Sequence, residues 1–162
     1  TQMKATGEVM SVGRTFEESL LKGIRSLEIG VYHLHMEKFD AWDRTQLLDY
    51  IAVGTDDRIY ALAQLLRLGE PIETLASCTG IDPFFLRKLR NIIAKERVLS
   101  SAPMDVRLLH QAKKAGFSDS AIAKLWGVPE QTIYALRQDQ KILPGYRLSR
   151  DENIGAYSRK ER

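Results

Sequence analysis

The sequence predicts an all-α protein, with two small helical subdomains that share an internal helix-turn-helix-like repeat. Three observations carry this. Apolar residues recur at three- and four-residue spacing in successive segments, most of them opened by a capping side chain or closed by glycine. A pattern that begins after Pro71 returns 47 residues later. Only the short run ATGEVMSV, residues 5–12, has partial strand character, and it has no obvious pairing partner later in the chain.

The elements follow in order. Thr15 is a good N-cap, and Glu18 three residues later completes a capping-box pattern. Phe16, Leu20, Ile24 and Leu27 then recur at helical spacing until Gly30 stops the run. Gly23 inside this helix costs about 1 kcal/mol relative to Ala and marks close packing. Residues 31–42, VYHLHMEKFDAW, read as a connection. Asp43 caps a short helix, RTQLLDYIA, and Asp56 or Asp57 caps a longer one, RIYALAQLLRL, which ends at Gly69.

From Pro71 the chain repeats itself. IETLASCTGIDPFFLRKLRNI resembles FSDSAIAKLWGVPEQTIYALRQ at an offset of 47 residues. Ala76 falls on Ala123, Gly80 on Gly127, Ile81 on Val128, Leu86 on Ile133, Leu89 on Leu136 and Arg90 on Arg137. The preceding helices correspond as well, DRIYALAQLLRLG with MDVRLLHQAKKAG, and Gly69 falls on Gly116. Two copies make paired subdomains, about 56–99 and 103–143, and not a solenoid. The polar stretch 144–162 reads as a loose tail or linker.

Composition narrows the function. The chain has 162 residues, 44% apolar and 28% charged, which suits one domain or two small ones with a real core. One cysteine, Cys78, forbids an internal disulfide and fits a reducing, cytoplasmic setting. No apolar run approaches the roughly 18 residues that span a bilayer, so no membrane partner is expected. The formal net charge is only +3, and from Tyr146 to Arg162 five basic residues stand against three acidic ones.

A helix-turn-helix DNA or RNA binder is the rival reading, and it needs polar or basic side chains on its second helix with cations at flanking phosphates. The second repeat offers Gln131, Tyr134, Arg137 and Gln138 there, but also Glu130 and Asp139. From Phe117 to Leu143 three basic residues balance three acidic ones, which leaves little of the phosphate attraction that drives non-specific binding. The first repeat has RKLR at 87–90, but Phe84 sits at the helix mouth, where a DNA reader wants a polar group. A clustered basic face on 87–97 or 131–141 would favour that rival. His33, His35, His110 and Cys78 have no zinc-ligand spacing, and there is neither GxxxxGK[ST] nor GxGxxG. No catalytic, cofactor-binding or metal-ligating set emerges, so the chain by itself reads as no enzyme. Trp42, Phe84, Phe85, Phe117 and Trp126 form a large aromatic set for small helices. Phe84, Phe85 and Trp126 are the candidate interface or core anchors.

Several stretches are similar to one family. MKATGEVMSVGRTFEESLLKGIRSLEIG resembles the segment after the first ATP-grasp half of the carbamoyl phosphate synthetase large subunit. DDRIYALAQLLRLGEPIETLASCTGIDPFFLRKLRNII, AKKAGFSDSAIAKLWG and LPGY resemble its central oligomerization domain, so the likeness covers about residues 1–147. It implies a helical oligomerization and spacer module at 15–143, preceded by a remnant of the first synthetase half at 1–14. It implies self-association, flanking synthetase halves and a glutaminase small subunit as partners. The parent enzyme would be a ligase that makes carbamoyl phosphate from bicarbonate and glutamine-derived ammonia for arginine and pyrimidine synthesis. Its ATP and Mg or Mn would lie in the flanking halves, with none on this chain. The sequence departs from the family in two places. RLSRDENIGAYSRKER follows LPGY where the family runs into its second half, and Phe84 stands where the family usually has Trp.

Overall fold

The computed structural model describes residues 9–27 and 29–143. These hold eight α-helices, one 3-10 turn (Glu37–Phe39) and no strand. The helices are α1 (Phe16–Ser26), α2 (Arg44–Ile51), α3 (Arg58–Leu68), α4 (Ile72–Thr79), α5 (Pro83–Ser101), α6 (Val106–Lys114), α7 (Asp119–Trp126) and α8 (Glu130–Asp139). The segment 144–162 and residues 1–8 of the N-terminal stretch lie outside the described residues. The part of ATGEVMSV that is described, from Val9, is irregular chain and not a strand. It runs back along α1, where the Ser11 hydroxyl donates to the Ser19 carbonyl at 2.8 Å and the Lys22 ammonium donates to the Val12 carbonyl at 3.0 Å.

Local chemistry explains most boundaries. The Thr15 hydroxyl accepts from the Glu18 amide at 3.2 Å. Glu18 does not complete the box, because its carboxylate accepts from the Arg14 amide and also meets Lys22 and Arg14 side chains. Burial pushes that carboxyl up, but the Lys22 and Arg14 contacts outweigh it and hold it at about 2. Glu17 and Glu18 therefore lie on the inner side of α1 with Leu21 and Ile24, while Phe16 and Leu20 are half-buried and Leu27 is exposed. The stripe read from spacing is correct in period and displaced in phase. What approaches Gly23 is the incoming chain: a Cβ there would lie 3.4 Å from the Ser11 hydroxyl.

Asp43 and Gln46 form a complete capping box on α2. Asp57 occupies the N-cap position of α3 but does not cap with its side chain. Its carboxylate is held instead by Lys38 and by the Tyr50 hydroxyl at 2.6 Å. The repeat is visible in the backbone. Gly69 caps α3 and Gly116 follows the Ala115 cap of α6 (φ 90° and 94°), and Gly80 and Gly127 cap α4 and α7 (φ 69° and 65°). The Glu70 amide donates to the Leu65 carbonyl and the Phe117 amide to the Ala112 carbonyl, both at 3.0 Å, which are the same bond at the repeat offset.

α5 is the axis. Its 19 residues serve as the second corner helix of the first repeat and then continue under the second. It packs against α1, α3, α4, α6 and α7, and one contiguous cluster of buried side chains runs from Leu21 to Ile133.

Candidate association surface

The first turn of α5 is built to push two aromatic rings outward. The Asp82 carboxylate accepts from the Phe84 amide at 2.7 Å, and Pro83 supplies a preset φ at the first helical position. That start places Leu86 and Leu89 in the core and leaves Phe84 47% and Phe85 45% exposed. Phe16, in the first turn of α1, joins them. Its ring lies 6.4 Å from Phe84 and 5.5 Å from Phe85, and those two are 5.3 Å apart at 83°. Edge-on pairs at these spacings hold one another. The Lys88 ammonium sits 5.3 Å from the centre of the Phe84 ring and 3.5 Å from Glu17, whose carboxylate also accepts from Asn91 at 3.1 Å. Burial pushes Glu17 up, but the Asn91 bond and Lys88 leave it lowered.

The other anchors fall elsewhere. Trp126 is only 6% exposed, and its indole N–H donates to the Leu99 carbonyl at 2.8 Å, so it fastens α7 to α5 inside the core. Phe117 is buried against the His33 ring, and Trp42 packs on Phe39 and Tyr50. Cys78 is exposed on α4. Spacing sets Phe16 on one stripe with Leu20, Ile24 and Leu27, yet its ring belongs to the patch. The signal was the Asp82-Pro83 start, which fixes the phase of α5, together with the two glutamates that turn α1.

Two clefts flank α5. One of about 680 Å³ lies between the start of α1, the second half of α5 and α6, floored by Leu99, Leu108, Ala112 and Ala115. The other, about 690 Å³, sets His33, His35, Arg67, Glu96 and Lys124 among apolar side chains such as Val31, Met36 and Leu125. Its charges answer one another. The His33 Nε2 is 2.7 Å from Glu96, Arg67 donates twice to the same carboxylate at 2.8 and 2.9 Å, and His35 is 3.0 Å from Asp40. Burial pushes Glu96 up, but His33 and Arg67 hold it at about 2. Arg67 also donates to the Leu34 carbonyl at 2.6 Å, so this network clamps the connection onto α3 and α5. Among the described residues no group of three His, Cys, Asp or Glu side chains is arranged to hold a metal ion.

The second helices of the two repeats present different surfaces. On α8, Arg137 turns inward to Asp119, leaving Glu130, Gln131, Tyr134, Gln138 and Asp139 outside. Within α8 no cation is exposed, and Lys141 just beyond its end is the one exposed cation of 131–141. On α5, Lys88 turns to Glu17 while Arg87, Arg90, Lys95 and Arg97 are exposed, so a clustered basic face of the kind the nucleic-acid reading asks for is present on 87–97.

The family model for the carbamoyl-phosphate synthetase large chain oligomerisation domain matches residues 8–141. The chain belongs to that family. The match takes in both corners of this oligomerisation domain and the whole of α5 between them. No helix among its described residues is long and apolar enough to cross a membrane.

Proposed function

We propose that this oligomerisation domain is a non-catalytic part of the large chain that holds copies together through the Phe16–Phe84–Phe85 patch and spaces the ATP-dependent halves on either side. The single observation behind the reading is the patch itself. Scattered exposed apolar residues are ordinary, but three contiguous rings on two helix starts form a surface of the kind that marks an interface. Aromatic side chains are also the residues that dominate binding energy at protein contacts. Within the whole large chain, the domain would serve a cytoplasmic ligase that makes carbamoyl phosphate from bicarbonate and glutamine-derived ammonia. ATP and Mg or Mn would bind in the flanking halves, with a glutaminase small subunit as a further partner.

Light scattering over a range of concentrations tests this directly. The chain is expected to elute as a dimer or tetramer, and Phe84→Ser with Phe85→Ser should weaken association by about tenfold or more. Strictly monomeric behaviour at the highest concentration, or an unchanged oligomer in the double variant, would sink the patch as the contact.

A further inference from the structure

We infer that the cationic outer face of α5 docks on the acidic surface formed by the 3-10 turn and α2 of a second copy. The inference rests on the self-association reading and adds the partner surface to it.

The chain's small net charge conceals two opposed regions. From Pro83 to Ser101, α5 carries Arg87, Lys88, Arg90, Lys95 and Arg97 against the single carboxylate Glu96, a formal +4. Glu96 faces inward to His33 and Arg67. The outer face therefore presents cations alone: Arg87, Arg90, Lys95 and Arg97 are exposed. Arg97 donates to the Arg67 carbonyl at 2.6 Å, and the other three make no ion pair among the described residues. The row begins at Phe84 and ends beside exposed Val98, so charge borders apolar area at both ends.

Residues 37–57 are the counterpart. Glu37, Asp40, Asp43, Asp49, Asp56 and Asp57 stand against Lys38 and Arg44, a formal −4. Both cations are already engaged, Lys38 by Asp57 and Arg44 by Glu70 at 2.6 Å. Glu37, Asp40, Asp43, Asp49 and Asp56 are exposed, and Val53 among them is 63% exposed. Glu37 meets Lys124 at 3.3 Å, Asp40 meets His35 at 3.0 Å and Asp43 caps α2, so Asp49 and Asp56 are the carboxylates with neither an ion pair nor a cap to make among the described residues.

Faces of opposite charge on one small domain favour a second copy as the occupant. A polyanion such as nucleic acid would be drawn to α5 alone and would leave the acidic face unanswered, whereas a second copy satisfies both. In a two-fold pair each copy offers both faces, so the same contact forms twice and the assembly closes.

Charge exchange tests the pairing. Arg87→Glu with Arg90→Glu reverses one face, and Asp49→Lys with Asp56→Lys reverses the other; circular dichroism checks that both variants fold. In sedimentation equilibrium at low salt, each variant alone should associate about tenfold or more weakly than the parent chain, and an equimolar mixture should recover most of the loss. The parent association should itself weaken as salt shortens the screening length. Three results would overturn the inference. Either reversed variant could associate like the parent, the mixture could stay dissociated, or a DNA duplex could bind the parent and lose affinity on Arg87→Glu with Arg90→Glu. If the parent associates and the phenylalanine variants break it while charge reversal does not, only this inference fails. A monomeric parent removes both readings.

Discussion

The two corners of this domain share a backbone and differ in what fills it. In the second corner Lys113, Asp119 and Arg137 meet as a partly buried triad, with Lys113 at 2.8 Å from Asp119 and Arg137 bonded to its other oxygen. At the repeat offset the first corner has Leu66 and Ile72, both buried, and Arg90, which is exposed. The helix-ending glycines differ as well. Gly69 has no neighbour within 4 Å of where a Cβ would stand, whereas a Cβ on Gly116 would lie 2.9 Å from the Glu18 Cα. Arg25 of α1 also donates to the Gly116 carbonyl at 2.6 Å. One turn geometry therefore serves an open corner in the first repeat and a docked corner in the second. The repeat conserves the turn and leaves the contacts free to diverge.

The glycines give the largest expected difference. Gly69→Ala forces a side chain into the left-handed region alone and should cost about 1 kcal/mol. Gly116→Ala adds a clash with the α1 backbone, which cannot swing aside as a flexible side chain would. It should cost about 3 kcal/mol in urea or thermal unfolding. Equal losses at the two positions would mean that α1 is not seated on the second corner.

The triad comes next. Asp119→Ala leaves two cations without their shared partner, and stability should fall by about 2–3 kcal/mol. Burial pushes the Asp119 carboxyl up, but Lys113 and Arg137 outweigh it and hold it below the ordinary aspartate value. A carboxyl lowered in the folded state contributes stability above the unfolded value, near pH 4, and that stability is lost as pH falls through the folded value. The parent chain should therefore lose more stability on acidification below about pH 4 than Asp119→Ala does. At the matching position Ile72→Val should cost about 1 kcal/mol, with no added pH dependence. Parallel pH profiles for the parent and Asp119→Ala would remove the triad as an energetic unit.

An aliphatic second corner sharpens the comparison, with Leu and Ile taken from the first corner at 113 and 119 and the arginine that would lose its partner removed as well. Lys113→Leu, Asp119→Ile and Arg137→Leu together replace a charged cluster with aliphatic side chains. The exchange should be neutral or stabilising by about 1 kcal/mol, because desolvating three charges offsets much of their attraction. A loss larger than any single triad substitution would mean that the second corner is shaped around the ions.

Much of this fold was legible in sequence. Caps at Thr15 and Asp43 and stops at Gly69, Gly80 and Gly127 are local chemistry, and the 47-residue offset placed both corners. What could not be read was orientation. Leu20 and Leu21 are equally apolar, and only the seating of Glu17 and Glu18 against α5 and Gly116 decides which one is buried. The same limit hid the candidate surface. Phe84, Phe85 and Trp126 look alike as anchors in a string of letters, yet the Asp82-Pro83 start turns the first two outward while the Leu99 carbonyl draws the third in. Arg90 and Arg137 align as one repeat position, and the string does not say that only the second has an aspartate within reach.

That last pair yields the smallest stability effect and the most specific one. Arg137→Ala removes a guanidinium that also donates to the Ile142 carbonyl at 3.2 Å, so it should destabilise the second corner and fray the chain beyond α8. Arg90→Ala removes an exposed side chain with no ion pair among the described residues and should change stability by less than about 0.5 kcal/mol. If the outer face of α5 binds a second copy, the same Arg90→Ala should still weaken association measurably, since truncating a charge at a contact acts on binding and not on folding. Separate readings of unfolding and sedimentation on these two variants would then divide one repeated residue into two roles. Arginine at 137 would hold the corner closed, and arginine at 90, with no ion pair among the described residues, would be free to meet another copy.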